Sequence, residues 1–177
     1  MTNQVEFDAE FPQEEASDFQ NLVQNPEGDL HLRFFLDSDT EFALPAMGIR
    51  EVLSIASDQI TPVPNVSPYL LGILNLRGQV VWVADISQFL GEPKPMSIDQ
   101  GELSVIVIES GDVMLGLAVA SIKGMEWLNA EHLRPSEQTN DSLTPFLVGE
   151  WAETQDGETP LQLIDSDAIV RSDRWAA

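Results

Sequence analysis

The sequence contains no cysteine, which excludes disulfides, thiol catalysis and thiolate metal sites and fits a reducing compartment. Basic residues are scarce: 8 Lys and Arg stand against 30 Asp and Glu, a formal net charge of -22. Such a surface repels phosphate backbones and anionic lipid, so neither nucleic-acid binding nor attachment to a membrane surface is expected. The charge serves solubility first, and it can also steer a basic partner. No apolar run approaches the roughly 18 residues needed to cross a bilayer. The N-terminal stretch MTNQVEFDAE has neither a basic n-region nor an apolar h-region, so no secretory signal is expected and the reading is cytoplasmic.

What is present suffices for one domain with a core: 177 residues, 43% of them hydrophobic. Residues 1–29 carry eight acidic residues and no Lys or Arg, a composition that predicts a flexible acidic tail. Inside it Ala16, Phe19, Leu22 and Val23 fall at helical spacing between Pro12 and Pro26. That spacing permits a short amphipathic helix, although helices of this length are marginal in water.

From Leu30 the pattern changes to period two. Leu30, Leu32, Phe34 and Leu36 alternate with His31, Arg33 and Phe35, which reads as a half-buried strand with His31 and Arg33 facing outward. Asp37 to Thr40 reads as a turn. Glu41–Pro45, Ile49–Ile55 and Gln79–Ala84 read as strands, the last entered through a turn at Arg77-Gly78. Asp85 is placed to cap a short helix over Ile86–Leu90, and Gly91 to stop it. After a proline-containing loop, strands are expected over Leu103–Glu109, Val113–Val119, Phe146–Trp151 and Pro160–Ile164. Asn129 is placed to cap a helical turn, a further turn falls at Gln155-Asp156-Gly157, and Asp165 or Ser166 is placed to cap a last helix through Val170.

The two halves superpose as sequences. Phe42–Ile49 falls on Leu115–Ile122, 73 residues later. Leu71-Gly72, the Gly78 turn and the Asp85 cap fall on Val148-Gly149, the Gly157 turn and the Asp165 cap. The same devices in the same order predict two similar β lobes, roughly 30–100 and 101–172. Short strands with turns every 8 to 12 residues fit a sandwich or a barrel, and a closed barrel removes exposed edges.

No catalytic constellation is present: the sequence lacks GxSxG, GxGxxG, P-loop and HExxH motifs. His31 and His132 lie about a hundred residues apart, and each reads as a surface residue because a catalytic His needs an orienting partner and a nucleophile in reach. Asp37, Asp39 and Glu41 have an alternating acidic spacing but lack the glycine and distant Glu of a calcium loop, so they read as a solvated turn and no metal site is expected. Trp82 is out of phase with Val81 and Val83, so it is either an exposed anchor or part of a second buried face. Gly72 interrupts an apolar run, where glycine marks a bulge or a close backbone approach. Arg77 ends that run beside the Gly78 turn, either paired with a carboxylate or offered to a partner.

The segment PNVSPYLLGILNLRGQVVWVADISQFLG, with its proline-asparagine link, glycine, Asn-Leu-Arg-Gly turn, apolar strand and Asp-capped helix, resembles the signature region of CheW-like domains. Upstream, FALPAMGIREVLSI resembles the strand pair of the same family, with Ile49-Arg50-Glu51-Val52 as its terminal step. The resemblance covers Leu30 to Val170, strongly in the first half and weakly after Asn129. It implies an all-β fold of two packed five-stranded SH3-like barrels with short helices, in a CheW-like domain over residues 30–172. It implies no enzymatic activity and no cofactor. The implied role is that of an adaptor for chemotaxis or pilus-driven motility. Its implied partners are the regulatory domain of a histidine kinase, itself CheW-like, and the cytoplasmic hairpin tip of a chemoreceptor. The partner-sensitive positions of the family fall on Ile49, Glu51, Gly72, Arg77 and Met125. By that resemblance Ile49 and Met125 would offer apolar surface, Glu51 and Arg77 polar register, and Gly72 close approach. The sequence departs from the family at Trp82, where proline is common, and in its longer acidic tail. A decoy that occupies the kinase without coupling it, and a small β-barrel ligand-binding protein or enzyme, are the alternative readings.

Overall fold

A computed structural model of the chain describes residues 27–36, 40–98, 101–137, 140–152 and 160–176. The Ala16–Val23 stripe, the turn residues Asp37 to Asp39 and the Gln155–Gly157 turn lie outside the described residues.

Ten strands build two five-stranded sheets. They are β1 (Asp29–Phe35), β2 (Glu41–Pro45), β3 (Ile49–Ala56), β4 (Leu70–Leu76), β5 (Gln79–Asp85), β6 (Glu102–Ser110), β7 (Val113–Val119), β8 (Ser121–Leu128), β9 (Leu147–Trp151) and β10 (Leu161–Ile164). Two short helices, α1 (Ile86–Phe89) and α2 (Ser166–Val170), follow β5 and β10. Their caps are those expected: an Asp85 carboxylate oxygen accepts from the Gln88 amide at 3.1 Å, and one of Asp165 from the Ala168 amide at 3.0 Å. Asn129 likewise accepts from the Glu131 amide, capping a 3-10 turn.

Sheet I runs β3-β6-β7-β5-β4 and sheet II runs β8-β1-β2-β10-β9. Substituting each strand of sheet I by its counterpart in the other repeat (β1 for β6, β2 for β7, and β8, β9 and β10 for β3, β4 and β5) reproduces the order of sheet II. The repeat read from the sequence is therefore real, but the sheets do not follow the halves of the chain. Each sheet is built from the first two strands of one repeat and the last three strands of the other. The boundary expected near residue 100 falls inside sheet I, between β5 and β6. The exchange is made at two parallel junctions, β5 with β7 and β10 with β2.

Alternation along the strands sends side chains to two different interiors. Leu32, Phe34, Phe42 and Leu44 of sheet II meet Ile106, Ile108, Leu117 and Val119 of sheet I in a shared core, sealed by Phe89 and Ile169 of the helices. The opposite faces line the barrels. Val81, Val83, Val105 and Val107 fill sheet I. In sheet II, Ala43, Trp151, Leu161 and Leu163 share the interior with polar side chains from β1 and β2.

Here the structure corrects the reading of β1. His31 and Arg33, expected to face solvent, are 5% and 4% exposed. Neither face of β1 is outside, because one meets the shared core and the other the barrel lumen. By register with β2 and with β7, His31 and Arg33 stand where the other repeat has Val105 and Val107. Arg33 is held there by hydrogen bonds to Glu41, on β2, and Glu126, on β8, and Lys123 reaches Glu41 from 3.2 Å. Burial works against the charge on Arg33, but the two carboxylates outweigh it and hold its pKa above the ordinary value. His31 donates from Nδ1 to the Asp29 carbonyl at 2.8 Å and meets Trp151 edge-on.

Strand β8 was not delimited from the sequence. A bulge at Lys123 breaks its alternation, since Arg33 pairs with Gly124 and Phe34 with Ile122. Trp82 belongs to a second buried face: it is half-buried against the shared core while Val81 and Val83 point into the barrel.

Candidate functional site

The candidate positions gather around the way sheet I closes. Its order leaves β3 and β4 at opposite ends. Beyond β3 the chain turns through Ser57–Gln59 and Thr61 then bridges Ile73 of β4, with two backbone hydrogen bonds of 2.9 Å. Gly72 makes this possible. It is buried at φ 149°, and a Cβ there would lie 2.2 Å from the Thr61 carbonyl oxygen. The close approach expected at Gly72 is thus made by the chain itself. Gly149 holds the same place in sheet II: a Cβ there would lie 2.5 Å from the carbonyl oxygen of Arg134, which bridges Glu150.

A second contact crosses the same edges. Arg77 donates from Nη2 to Glu51 Oε1 at 2.7 Å. The two-residue turn that presents Arg77 joins β4 to β5 with φ of 52° at Arg77 and 85° at Gly78. Positive φ at both central residues is the mark of a type I′ hairpin turn, which normally takes Asn-Gly. Arg77 is held there at a cost on the order of 1–2 kcal/mol. Asn75 supports the turn by accepting from the Gly78 amide at 2.9 Å. The Arg77 side chain remains 79% exposed and that of Glu51 24%. The carboxylate therefore orients a guanidinium that still offers free donors to solvent.

Ile49 and Glu51 flank a bulge at Arg50, where β3 pairs with β6. Ile49 is half-buried on the shared core. Met125 lies in the other sheet, on edge strand β8, and is 51% exposed. The structure thus brings Glu51 and Arg77 together, buries Gly72 behind them, and puts Met125 on a separate strand. The repeat relates these strands: the bulge at Arg50 corresponds to that at Lys123, and Val52 corresponds to Met125 by register with β6 and β1. Val52 is 42% exposed, Met47 and Trp127 are exposed as well, and none of the three is among the positions the resemblance singled out. Extending the 73-residue offset three positions past Ile122 would have found Val52. Among the described residues no cluster of three or more His, Asp or Glu gathers to hold a metal.

A CheW-like domain family model matches residues 31–174. The chain belongs to the CheW-like family. Among curated relatives it is 28% identical over 143 residues to "Chemotaxis protein CheW" of Klebsiella aerogenes, covering 80% of this chain and 82% of that protein. It is 37% identical over 126 residues to the CheW of Bacillus subtilis (71% and 78% covered), and 32% identical over 113 residues to "Protein PilI" of Pseudomonas aeruginosa (61% and 59% covered). The crystal structure of the scaffolding protein TtCheW from Thermoanaerobacter tengcongensis aligns with a TM-score of 0.69 at 20% identity, over 85% of this chain and 97% of that one. The two sheets are the paired SH3-like barrels of the CheW fold, as the resemblance implied. No helix among the described residues is long and apolar enough to cross a membrane.

Proposed function

We propose that this CheW-like chain is a non-catalytic adaptor that couples a chemoreceptor-type sensor to a CheA-type histidine kinase, in flagellar chemotaxis or pilus-driven motility. It works in the cytoplasm and is recruited to receptor arrays. Its contacts are the kinase's CheW-like regulatory domain and the receptor's cytoplasmic hairpin tip. Ile49, Glu51, Arg77 and Met125 form the contact surface, with Gly72 shaping it from behind.

The observation that carries the reading is the Arg77–Glu51 pair. A bulky cation sits in a turn built for Asn-Gly, exposed yet oriented by a carboxylate from the opposite edge of the sheet. Exposed ion pairs contribute little to stability, at most about 1 kcal/mol, so strain kept for such a pair points to recognition. Val52 and Met125 add apolar surface at equivalent places on the two edge strands, and exposed apolar side chains beside a polar anchor suit a partner helix.

The test is reconstitution of kinase activity with receptor and kinase, with and without this protein. Coupling gives a rise in receptor-controlled phosphorylation, whereas a fall identifies a decoy. Arg77→Glu should abolish binding of the partner while the fold survives. Normal binding by that variant would remove Arg77 from the site.

A further inference from the structure

Because the repeats correspond strand for strand, a surface feature in one can be compared with its counterpart in the other. A cleft overlies each parallel junction. At β10 with β2, where Gln162 registers with Phe42, the cleft holds about 130 Å3 and is lined by Thr40, Phe42, Leu90 and Gln162 among others. At β5 with β7, where Trp82 registers with Leu115, the cleft holds about 400 Å3, and Val113, Leu115, Val170 and Trp82 occupy the same four places. One cleft is small and polar, the other three times larger and apolar. Trp175 forms part of the larger wall and is fixed there, stacked on Phe89 at 4.2 Å with its indole donating to the Ile169 carbonyl at 2.7 Å.

Three features of the larger cleft define what fits it. First, its volume lies in the range of small-molecule sites, roughly 300–1,000 Å3, whereas its counterpart falls below that range. Second, no charged side chain lines it, in a chain of net charge -22. A charged ligand would lose its hydration there with nothing to replace it. Third, the indole N–H of the half-buried Trp82 donates to no group among the described residues, and the amide of Asn65 stands exposed at the rim. Trp82 stands where the other repeat has Gln162.

We propose that the Trp82 cleft is a binding site for a neutral, mainly apolar small molecule that carries a hydrogen-bond acceptor. Its apolar body fills the space between Trp82, Leu115 and Trp175, and its acceptor takes a hydrogen from Trp82 or Asn65. The site is separate from the Arg77–Glu51 contact and does not depend on it.

The probe is Nile red, a neutral apolar fluorophore with a carbonyl acceptor, titrated into the full-length chain. The expected result is saturable one-site binding with energy transfer from tryptophan. Val113→Trp places a ring in the cleft from its half-exposed rim and should weaken binding at least tenfold with an unchanged denaturation midpoint. Trp82→Gln, which installs the residue of the other repeat, should weaken binding likewise, with some loss of stability because Trp82 also packs on the shared core. Non-saturable binding, or binding unchanged in both variants, overturns the proposal. So does a Val113→Trp variant that binds the dye normally but loses its kinase or receptor partner, because the cleft would then be a protein contact. Retained coupling by Val113→Trp with lost dye binding supports the proposal and leaves the adaptor reading standing on its own test.

Discussion

The carbonyl oxygen of Thr61 occupies the space into which a side chain on Gly72 would project. The same relationship recurs between Arg134 and Gly149, so it belongs to the closure of both barrels rather than to one partner contact. Gly72→Ala must bear both a positive φ and a clash with backbone, together on the order of 2–4 kcal/mol. Chemical denaturation should show that loss, and any loss of partner binding should track the unfolded fraction. A variant with wild-type stability and no binding would instead place Gly72 in direct contact with a partner.

Arg77→Asn separates stability from recognition. Asparagine tolerates the left-handed conformation at the first position of the turn, so the variant should gain about 0.5–1 kcal/mol of stability. It removes the guanidinium, so partner affinity should fall at least tenfold. Thermal melting and a binding titration on the same preparation check both signs.

Breaking the buried network of sheet II should be costly. Arg33 and Glu41 are each 5% exposed in their side chains, and Glu41 also receives Lys123. Arg33→Met leaves Glu41 and Glu126 without their main partner, an expected loss of about 3–5 kcal/mol. Arg33→Val with Glu41→Met installs the residues found at the equivalent places of sheet I, Val107 and Met114, and should recover much of that loss. Urea denaturation of the single and double variants measures it.

The exchange of strands predicts how the chain behaves when divided. Residues 1–100 carry two strands of sheet II and three of sheet I, so neither sheet can be completed by one fragment. Fragments 1–100 and 101–177 should each lack a cooperative transition. Mixed, they should assemble into a complex with the circular dichroism and near-native melting of the whole chain. Cooperative folding of either fragment alone would contradict the interdependence of the repeats.

Much of the local structure was legible because it rests on local chemistry. Asp85 and Asp165 announced their helices by hydrogen-bonding capacity, Gly78 its turn by backbone freedom, and Leu32 and Phe34 their strand by alternation. Strand β8 was not legible, since the bulge at Lys123 shifts the phase on which that reading depends. His31 and Arg33 were read as outward because period two distinguishes two faces of a strand but not whether both are covered. Arg77 and Glu51 were both named from the family pattern. Their pairing was not legible, because it spans strands at opposite ends of a sheet order.

The sequence alone determined most of the elements, the internal repeat and the family resemblance, since caps, turns and alternation act over a few residues and the Asn75–Gly78 turn is a local signature. Only the tertiary structure decided which repeat completes which barrel, and with it the polar lumen around Arg33 and the pairing of Glu51 with Arg77. It also decided the difference between the Trp82 and Gln162 clefts. These depend on strand pairings across more than 30 residues of chain, such as Trp82 with Leu115 and Gln162 with Phe42. No spacing rule along the chain specifies such pairings, because burial of both repeats in one shared core selects them.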